Sequence, residues 1–148
     1  MNKSEIDALI QQASALMEQQ HYPAAERLLE QVLAEDGEQS DALALAGKMA
    51  ADRRLWFKAL PLLERAIAIN PGVAWYWNLH GIVNGELRNT EVAYQSFVQA
   101  LKLNPNAYNI WGNLGTLCMK FDTDKAEQCF LKALELNPND TYTLTNFG

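Results

Sequence analysis

The chain has 148 residues, of which 49% are hydrophobic and 20% charged, and its formal net charge at pH 7 is -6. This size and composition can bury the core of a folded domain, which excludes a disordered polypeptide. Acidic residues outnumber basic ones and no face concentrates lysine and arginine. We therefore expect no nucleic-acid binding, which depends on neutralising phosphates.

Several other classes of protein are also disfavoured. The sequence has no unbroken apolar run of roughly 18 residues and no signal-peptide centre, so we expect no membrane association and a cytoplasmic location. Cys118 and Cys129 lack metal-ligand spacing with His21 or His80, and we interpret both as reduced packing residues. Neither histidine has a nucleophile placed to pair with it, and a glycine-rich phosphate loop is missing. We predict no catalytic residue, no metal and no cofactor.

Apolar residues recur at spacings of four and seven along the whole chain, which predicts amphipathic helices. We expect Ser4 and Thr90 to cap the N-termini of two of them. A ninth helix is predicted to start near residue 140. The predicted bounds of the first eight helices are 4–20, 22–35, 39–52, 56–69, 73–87, 90–103, 107–120 and 123–136.

The same residue types also recur with a period of about 34, which indicates an internal repeat. Small residues stand where a large side chain would be expected, which lets two helix backbones approach closely, with a neighbouring Trp, Phe or Leu filling the remaining space. The small column is Ala13, Gly47, Gly81, Gly115 and Gly148, and a packing column of large apolar residues lies four positions before it: Leu9, Leu43, Trp77, Trp111 and Leu144. A further column of large residues is Leu29, Leu63, Phe97 and Phe130.

Each predicted pair of helices also ends in the same way. "LKLNPN" at residues 101–106 returns as "LELNPN" at 134–139, and the proline stops the helix because it has no N–H and restricts the residue before it. These features predict an all-α fold, an α-solenoid of antiparallel helix pairs. The predicted repeats span 6–39, 40–73, 74–107 and 108–140, followed by a truncated start of a fifth at 141–148.

The segments "WNLHG" at 77–81 and "WGNLG" at 111–115, with the alanine columns and the closing prolines, resemble the tetratricopeptide repeat family. Three departures are local. Gly37 replaces the first proline, His80 takes a slot usually held by leucine, and the fourth unit is one residue short between Lys120 and Asp124.

The resemblance implies a right-handed superhelix whose concave face is lined by the first helix of each pair and receives a peptide or a partner helix. Asn113 and Asn146 occupy a slot that some family members use to hold a peptide backbone, although both also suit a plain surface. The residues that we expect to contact a partner are Ile10, Met17, Lys48, Trp75, Asn78, Ile82, Asn109, Asn113 and Met119.

Trp75 is the leading candidate within this set. The run "AWYWN" places three aromatic residues in succession, and a helix cannot turn all of them toward one core. Trp77 belongs to a packing column, which leaves Trp75 either to contact a partner or to cover a junction between repeats.

The sequence therefore predicts a protein–protein interaction scaffold. "TYTLTNFG" at the C-terminus reproduces the opening of a first helix, so we expect the chain to be part of a longer protein, the alternative being a short tail that docks as a partial cap. An open end of this kind could receive a second copy and give a homodimer. The alternative function is a non-catalytic repeat arm of a larger enzyme such as a glycosyltransferase.

Overall fold

The computed structural model describes residues 1–147, and these residues form nine α-helices and no strand. The helix ends lie within two residues of those predicted from the sequence. The helices are α1 Lys3–Glu18, α2 Tyr22–Glu35, α3 Ser40–Asp52, α4 Trp56–Ile69, α5 Ala74–Glu86, α6 Thr90–Leu103, α7 Tyr108–Cys118, α8 Thr123–Leu136 and α9 Thr141–Phe147.

The chain divides into two compact units. Unit 1 comprises residues 1–71 and contains α1 to α4, and unit 2 begins at Gly72 and contains α5 to α9. Within unit 1, α1 pairs with α2 and α3 with α4. Within unit 2, α5 pairs with α6 and α7 with α8, and α9 packs against α7 and α8. The predicted all-α fold of helix pairs is confirmed.

The small residues of the first helices lie where the large residues of the second helices pack. A β-carbon placed on Gly47 would lie 3.0 Å from Leu63 Cγ, and one on Gly81 would lie 2.6 Å from the ring of Phe97. Gly115 faces Phe130 at the same 2.6 Å. The glycines therefore occupy equivalent places in successive pairs, because only a missing side chain leaves room for the facing residue. Gly148 lies outside the described residues.

The second helix of every pair ends with the same backbone geometry. The N–H of the residue directly after each second helix donates to the carbonyl four residues earlier, and the four N···O distances are 2.9, 2.9, 2.9 and 2.8 Å in chain order. Gly37 follows the first of these residues where the other three are followed by proline, yet Asp36 adopts φ -145° and ψ 95°, close to the values at the others. The missing proline thus leaves the ending unchanged. The four residues are Asp36, Asn70, Asn104 and Asn137.

The turns inside the first three pairs share a left-handed residue. Gln20, Arg54 and Arg88 have φ values of 63°, 61° and 66°, and the residue after each donates its N–H to a carbonyl five positions earlier. Residues 119–122 of the fourth turn contain no positive φ. There Asp122 caps α8 by accepting the Lys125 N–H at 3.1 Å. The residue missing from the fourth repeat is thus the strained one.

Two predicted helix caps are wrong. Asn2, and not Ser4, caps α1, since its side chain accepts the Glu5 N–H at 2.9 Å. Thr90 is already the first residue of α6, and the cap position belongs to Asn89, whose side chain donates to Asn84 Oδ1 at 3.1 Å. At α1 the Asn2 side chain takes the capping role expected of Ser4, whereas the Asn89 side chain makes no capping bond to α6.

Candidate protein-binding surface

First helices of successive pairs lie side by side within each unit, α1 against α3 in unit 1 and α5, α7 and α9 in sequence in unit 2. In unit 2 their shared face contains a cleft of about 170 Å³, which we call the first-helix cleft. It is lined by Gly81, Ile82, Gly85, Glu86, Phe97, Asn113, Thr116, Leu117, Lys120 and Tyr142.

Polar side chains link the helices that form this surface. Asn113 Nδ2 on α7 donates to Asn78 Oδ1 on α5 at 3.0 Å. Thr116 Oγ1 lies 2.9 Å from the Tyr142 hydroxyl on α9. A primary amide has two N–H donors and an acceptor oxygen, so Asn113 is oriented by Asn78 and keeps groups that suit a peptide backbone.

Three of the predicted partner-contact residues come together here. Ile82 and Asn113 line the first-helix cleft, and Asn78 is bonded to Asn113 beside it. Asn109 is exposed on α7. Met119 is also exposed, but it borders a different groove at the end of unit 2. The partner role of each of these residues stays a prediction.

The three successive aromatic residues of α5 have different surroundings. Tyr76 is fully buried, Trp77 is partly buried against the core of unit 2, and Trp75 is 37% exposed. The rings of Trp75 and Tyr76 meet edge to face, with centroids 4.8 Å apart. Part of the Trp75 side chain is therefore exposed at the surface, as predicted. The most deeply buried of the three is Tyr76, which the packing column had not indicated.

The predicted residues of unit 1 differ from this pattern. Met17 is only 5% exposed and belongs to the core of unit 1, which corrects its expected place on the surface. It lies one turn beyond Ala13, and a flexible thioether readily fills the space beside such a small residue. Ile10 is half-buried against the same core, and Lys48 pairs with Asp52 on its own helix at 3.4 Å.

Tyr142 and the two rim charges, Glu86 and Lys120, were not among the predicted contacts. A signal for Tyr142 was present, because counting back one repeat at a time from it reaches Asn109 and then Trp75, which were both predicted. The expected packing role of Leu144 is wrong. Leu144 is 48% exposed, and its neighbour Thr143 is the residue of α9 that is fully buried.

A second groove, of about 330 Å³, lies where α7, α8 and α9 meet, and we call it the terminal groove. Its aromatic residues, Phe130 and Phe147, have ring centroids 5.8 Å apart. Its lining is completed by Met119, Thr123, Ala126, Glu127 and Asn146.

The two cysteines are buried thiols. Burial raises the pKa of Cys129 to about 11, with a further contribution from Cys118 nearby, and burial also raises the pKa of Cys118. A raised pKa disfavours the thiolate, which is the nucleophile and metal ligand. Within residues 1–147, no group of three or more histidine, cysteine or acidic side chains is placed to hold a metal. In the same residues, no helix has both the length and the apolar character needed to cross a membrane.

Stacked helix pairs with a cleft along their first helices define a helical-repeat scaffold. Family models described as tetratricopeptide repeat match residues 10–74 and 108–140. The chain belongs to the tetratricopeptide repeat family.

Several solved structures share this fold. PilF of Pseudomonas aeruginosa is 24% identical with a TM-score of 0.87, over 96% of this chain and 65% of that one. A mutant O-GlcNAc transferase of Thermobaculum terrenum is 25% identical with a TM-score of 0.85, over 91% of this chain but only 27% of the transferase. YrrB, described as a TPR protein with an unusual peptide-binding site, is 19% identical with a TM-score of 0.80, over 98% of this chain and 75% of that one. No curated protein sequence matches the chain.

Proposed function

We propose that the chain is a protein-interaction scaffold that binds a peptide or helix of a partner protein in the first-helix cleft of unit 2. The observation that carries this proposal is the cleft itself, where an apolar floor at Ile82 and Leu117 lies beside the amide of Asn113 and the hydroxyl of Tyr142. Apolar surface with a few convergent polar groups is the usual composition of a binding site.

The charges around the cleft favour a polypeptide ligand. Glu86 and Lys120 both line it, so a partner can place either sign of charge beside a complementary group. Asn113 is oriented by its bond to Asn78 before any ligand arrives, which reduces the ordering cost of binding. Likeness to YrrB, whose description names a peptide-binding site, supports the same kind of ligand.

Selection from a random peptide library displayed on phage would test the proposal. Peptides that bind the chain should lose roughly tenfold in affinity with Ile82→Ala or Asn113→Ala, which remove about 1 to 2 kcal/mol of contact. Val92→Ala is the matched control, because Val92 is an exposed apolar residue of a second helix in the same unit. Peptides whose affinity is unaffected by the two cleft variants would contradict the assigned site.

The second candidate is a non-catalytic arm of a larger enzyme. Likeness to the Thermobaculum terrenum transferase, of which this chain spans 27%, favours it. An antibody raised against the chain would discriminate on a blot of the cells that produce it. A band near 16.6 kDa supports a scaffold acting alone, and a band several times larger supports the arm.

Self-association through the terminal groove is a separate proposal. Ala93 and Phe97 are one repeat before Ala126 and Phe130, and they share a core cluster with Leu117 and Cys118 of α7. Ala126 and Phe130 belong to the same cluster and also border the terminal groove, so this groove adjoins the core of unit 2. Sedimentation over a range of concentrations should show a monomer–dimer equilibrium that Phe147→Glu abolishes. A monomer at every concentration would contradict it.

A further inference from the structure

A third cleft of unit 2 lies on the side of the turns between paired helices, and we call it the turn-side cleft. It has a volume of about 430 Å³, and it is distinct from the first-helix cleft because the two share no lining residue. It is lined by Thr90, Glu91, Tyr94, Phe121, Asp122 and Lys125.

Unit 1 has an equivalent cleft, of about 200 Å³. Glu26, which lines it, is the fifth residue of α2, as Tyr94 is the fifth residue of α6. Lys58 is the third residue of α4, as Lys125 is the third residue of α8. The repeat therefore places the two clefts at corresponding positions of the two units.

In unit 1 this place is occupied by an arginine of the chain itself. The Arg53 guanidinium lies over the ring of Tyr22, 5.0 Å from its centroid, and its Nη1 lies 4.0 Å from a carboxylate oxygen of Glu26. An aromatic face and a carboxylate together suit a guanidinium, which is planar, weakly hydrated and able to stack and form an ion pair at once.

In unit 2 the same kinds of group are present without the arginine. Phe121 stands two repeats after Arg53 in the sequence. The centroids of the Phe121 and Tyr94 rings are 6.3 Å apart. Glu91 and Asp122 supply two carboxylates, and within residues 1–147 neither forms an ion pair. Lys125 Nζ lies 4.8 Å from the Tyr94 centroid, which shows that this aromatic face accepts a cation.

The one-residue deletion in the fourth repeat contributes to this arrangement. Because the turn lacks the left-handed residue found in the other three, Asp122 caps α8 directly and Phe121 stands beside Tyr94, 55% exposed. The lining carries two negative charges against the single positive charge of Lys125, so the cleft attracts a further cation.

We propose that the turn-side cleft binds an arginine side chain of a partner protein, in the way that the corresponding place in unit 1 holds Arg53. The guanidinium stacks on the exposed ring of Phe121, next to the Tyr94 face that Lys125 already covers, and pairs with Glu91 or Asp122. This contact is independent of a peptide in the first-helix cleft, and either can exist without the other.

Titration of the labelled chain with the tripeptide acetyl-Gly-Arg-Gly-amide, followed by NMR, tests the proposal. Saturable shifts are expected at the ring signals of Tyr94 and Phe121, in the millimolar range for a single side chain. The citrulline analogue, which has the same shape without the charge, should bind about tenfold more weakly. The lysine analogue should bind about threefold more weakly, because an ammonium stacks less well than a guanidinium.

Three variants complete the test. Glu91→Gln should weaken binding of the arginine peptide about threefold. Glu135→Gln should leave it unchanged, because Glu135 is an exposed residue outside the cleft. Phe121→Arg should abolish binding, since the chain then supplies its own guanidinium. Amide spectra of each variant report whether the fold is intact. Equal binding of the citrulline analogue, the absence of saturable ring shifts, or undiminished binding by Phe121→Arg would overturn the proposal.

Discussion

Units 1 and 2 use the same backbone plan with different interior residues. Leu63 meets Gly47 in unit 1, and the larger Phe97 meets Gly81 in unit 2. The distance from a β-carbon placed on the glycine to the facing side chain falls by 0.4 Å, from 3.0 to 2.6 Å. The comparison shows that the repeat specifies where helices meet, whereas the size of the facing side chain determines how strictly a glycine is required.

The interiors differ in polarity as well. His80, Asn84 and Ser96 are buried in unit 2, and one repeat earlier in the sequence stand the apolar residues Ala46, Ala50 and Leu62. Ser96 Oγ donates its single proton to the Val92 carbonyl at 2.9 Å, so His80 Nδ1, 2.7 Å from the same oxygen, is the donor to it. Asn84 donates to the His80 carbonyl at 2.9 Å. The polar groups satisfy one another, which allows them to replace an apolar contact.

The largest expected effect distinguishes the two kinds of glycine contact. Gly81→Ala should lower the free energy of unfolding by about 2 kcal/mol. The new methyl group overlaps the Phe97 ring, and the energy cost of this overlap exceeds the roughly 1 kcal/mol gained in helix propensity. Gly47→Ala should cost less, since Leu63 is farther away and more flexible. Urea unfolding followed by circular dichroism measures both.

Two controls sharpen that measurement. Adding Phe97→Leu to Gly81→Ala should restore part of the loss, because unit 1 already pairs a leucine with this position. Gly37→Ala should change stability little, since its β-carbon would meet only the Leu33 carbonyl, at 3.7 Å. Equal stability of Gly81→Ala and the parent chain would show that the contact is not restrictive.

The pH dependence of stability should reveal the buried thiol of unit 2. Burial raises the pKa of Cys129 from its ordinary value of 9.0 to about 11, so the unfolded chain loses this proton at a lower pH than the folded chain. Stability from this group is therefore present below pH 9 and is lost between pH 9 and about 11, by about 2 kcal/mol. Unfolding at pH 8, 9, 10 and 11 measures the loss. The free energy of unfolding of Cys129→Ala should fall less steeply with pH than that of the parent chain. Identical slopes for the two would contradict the assignment.

Replacing the polar interior of unit 2 should show that its members act together. Ser96→Ala removes the acceptor of the His80 Nδ1 proton and should cost about 1 to 2 kcal/mol. His80→Ala, Asn84→Ala and Ser96→Leu together install the residues of unit 1, and this triple variant should lose less than Ser96→Ala alone. Thermal unfolding compares them. Additive losses would mean that the three residues act separately.

The smallest effect concerns the turns. Arg88 is held at φ 66°, a conformation that glycine adopts without the cost of a β-carbon. Arg88→Gly should raise stability by about 0.5 kcal/mol. Lys120→Gly, in the shorter fourth turn without a positive φ, should bring no gain. A gain at both sites would remove the distinction between the turns.

Repetition in the sequence was enough to predict the helix pairs and the close approach of helices at small residues such as Gly81, because four- and seven-residue spacings fix which face of a helix is buried. The spacing of apolar residues does not determine how deeply each side chain is buried. Tyr76, next to the column residue Trp77, is the more buried of the two, and Met17 belongs to the core of unit 1 although it was predicted to contact a partner. The bond between Asn78 and Asn113 joins two helices whose separation no single-chain periodicity specifies.

Binding of a polypeptide in the first-helix cleft of unit 2 can be observed residue by residue. NMR titration of the labelled chain with a library-selected peptide tests it most directly, because each amide reports its own surroundings. We predict that the perturbed signals cluster at Ile82, Asn113, Thr116 and Tyr142. Perturbations confined to the second helices α6 and α8 would show that the first-helix cleft is not the binding site.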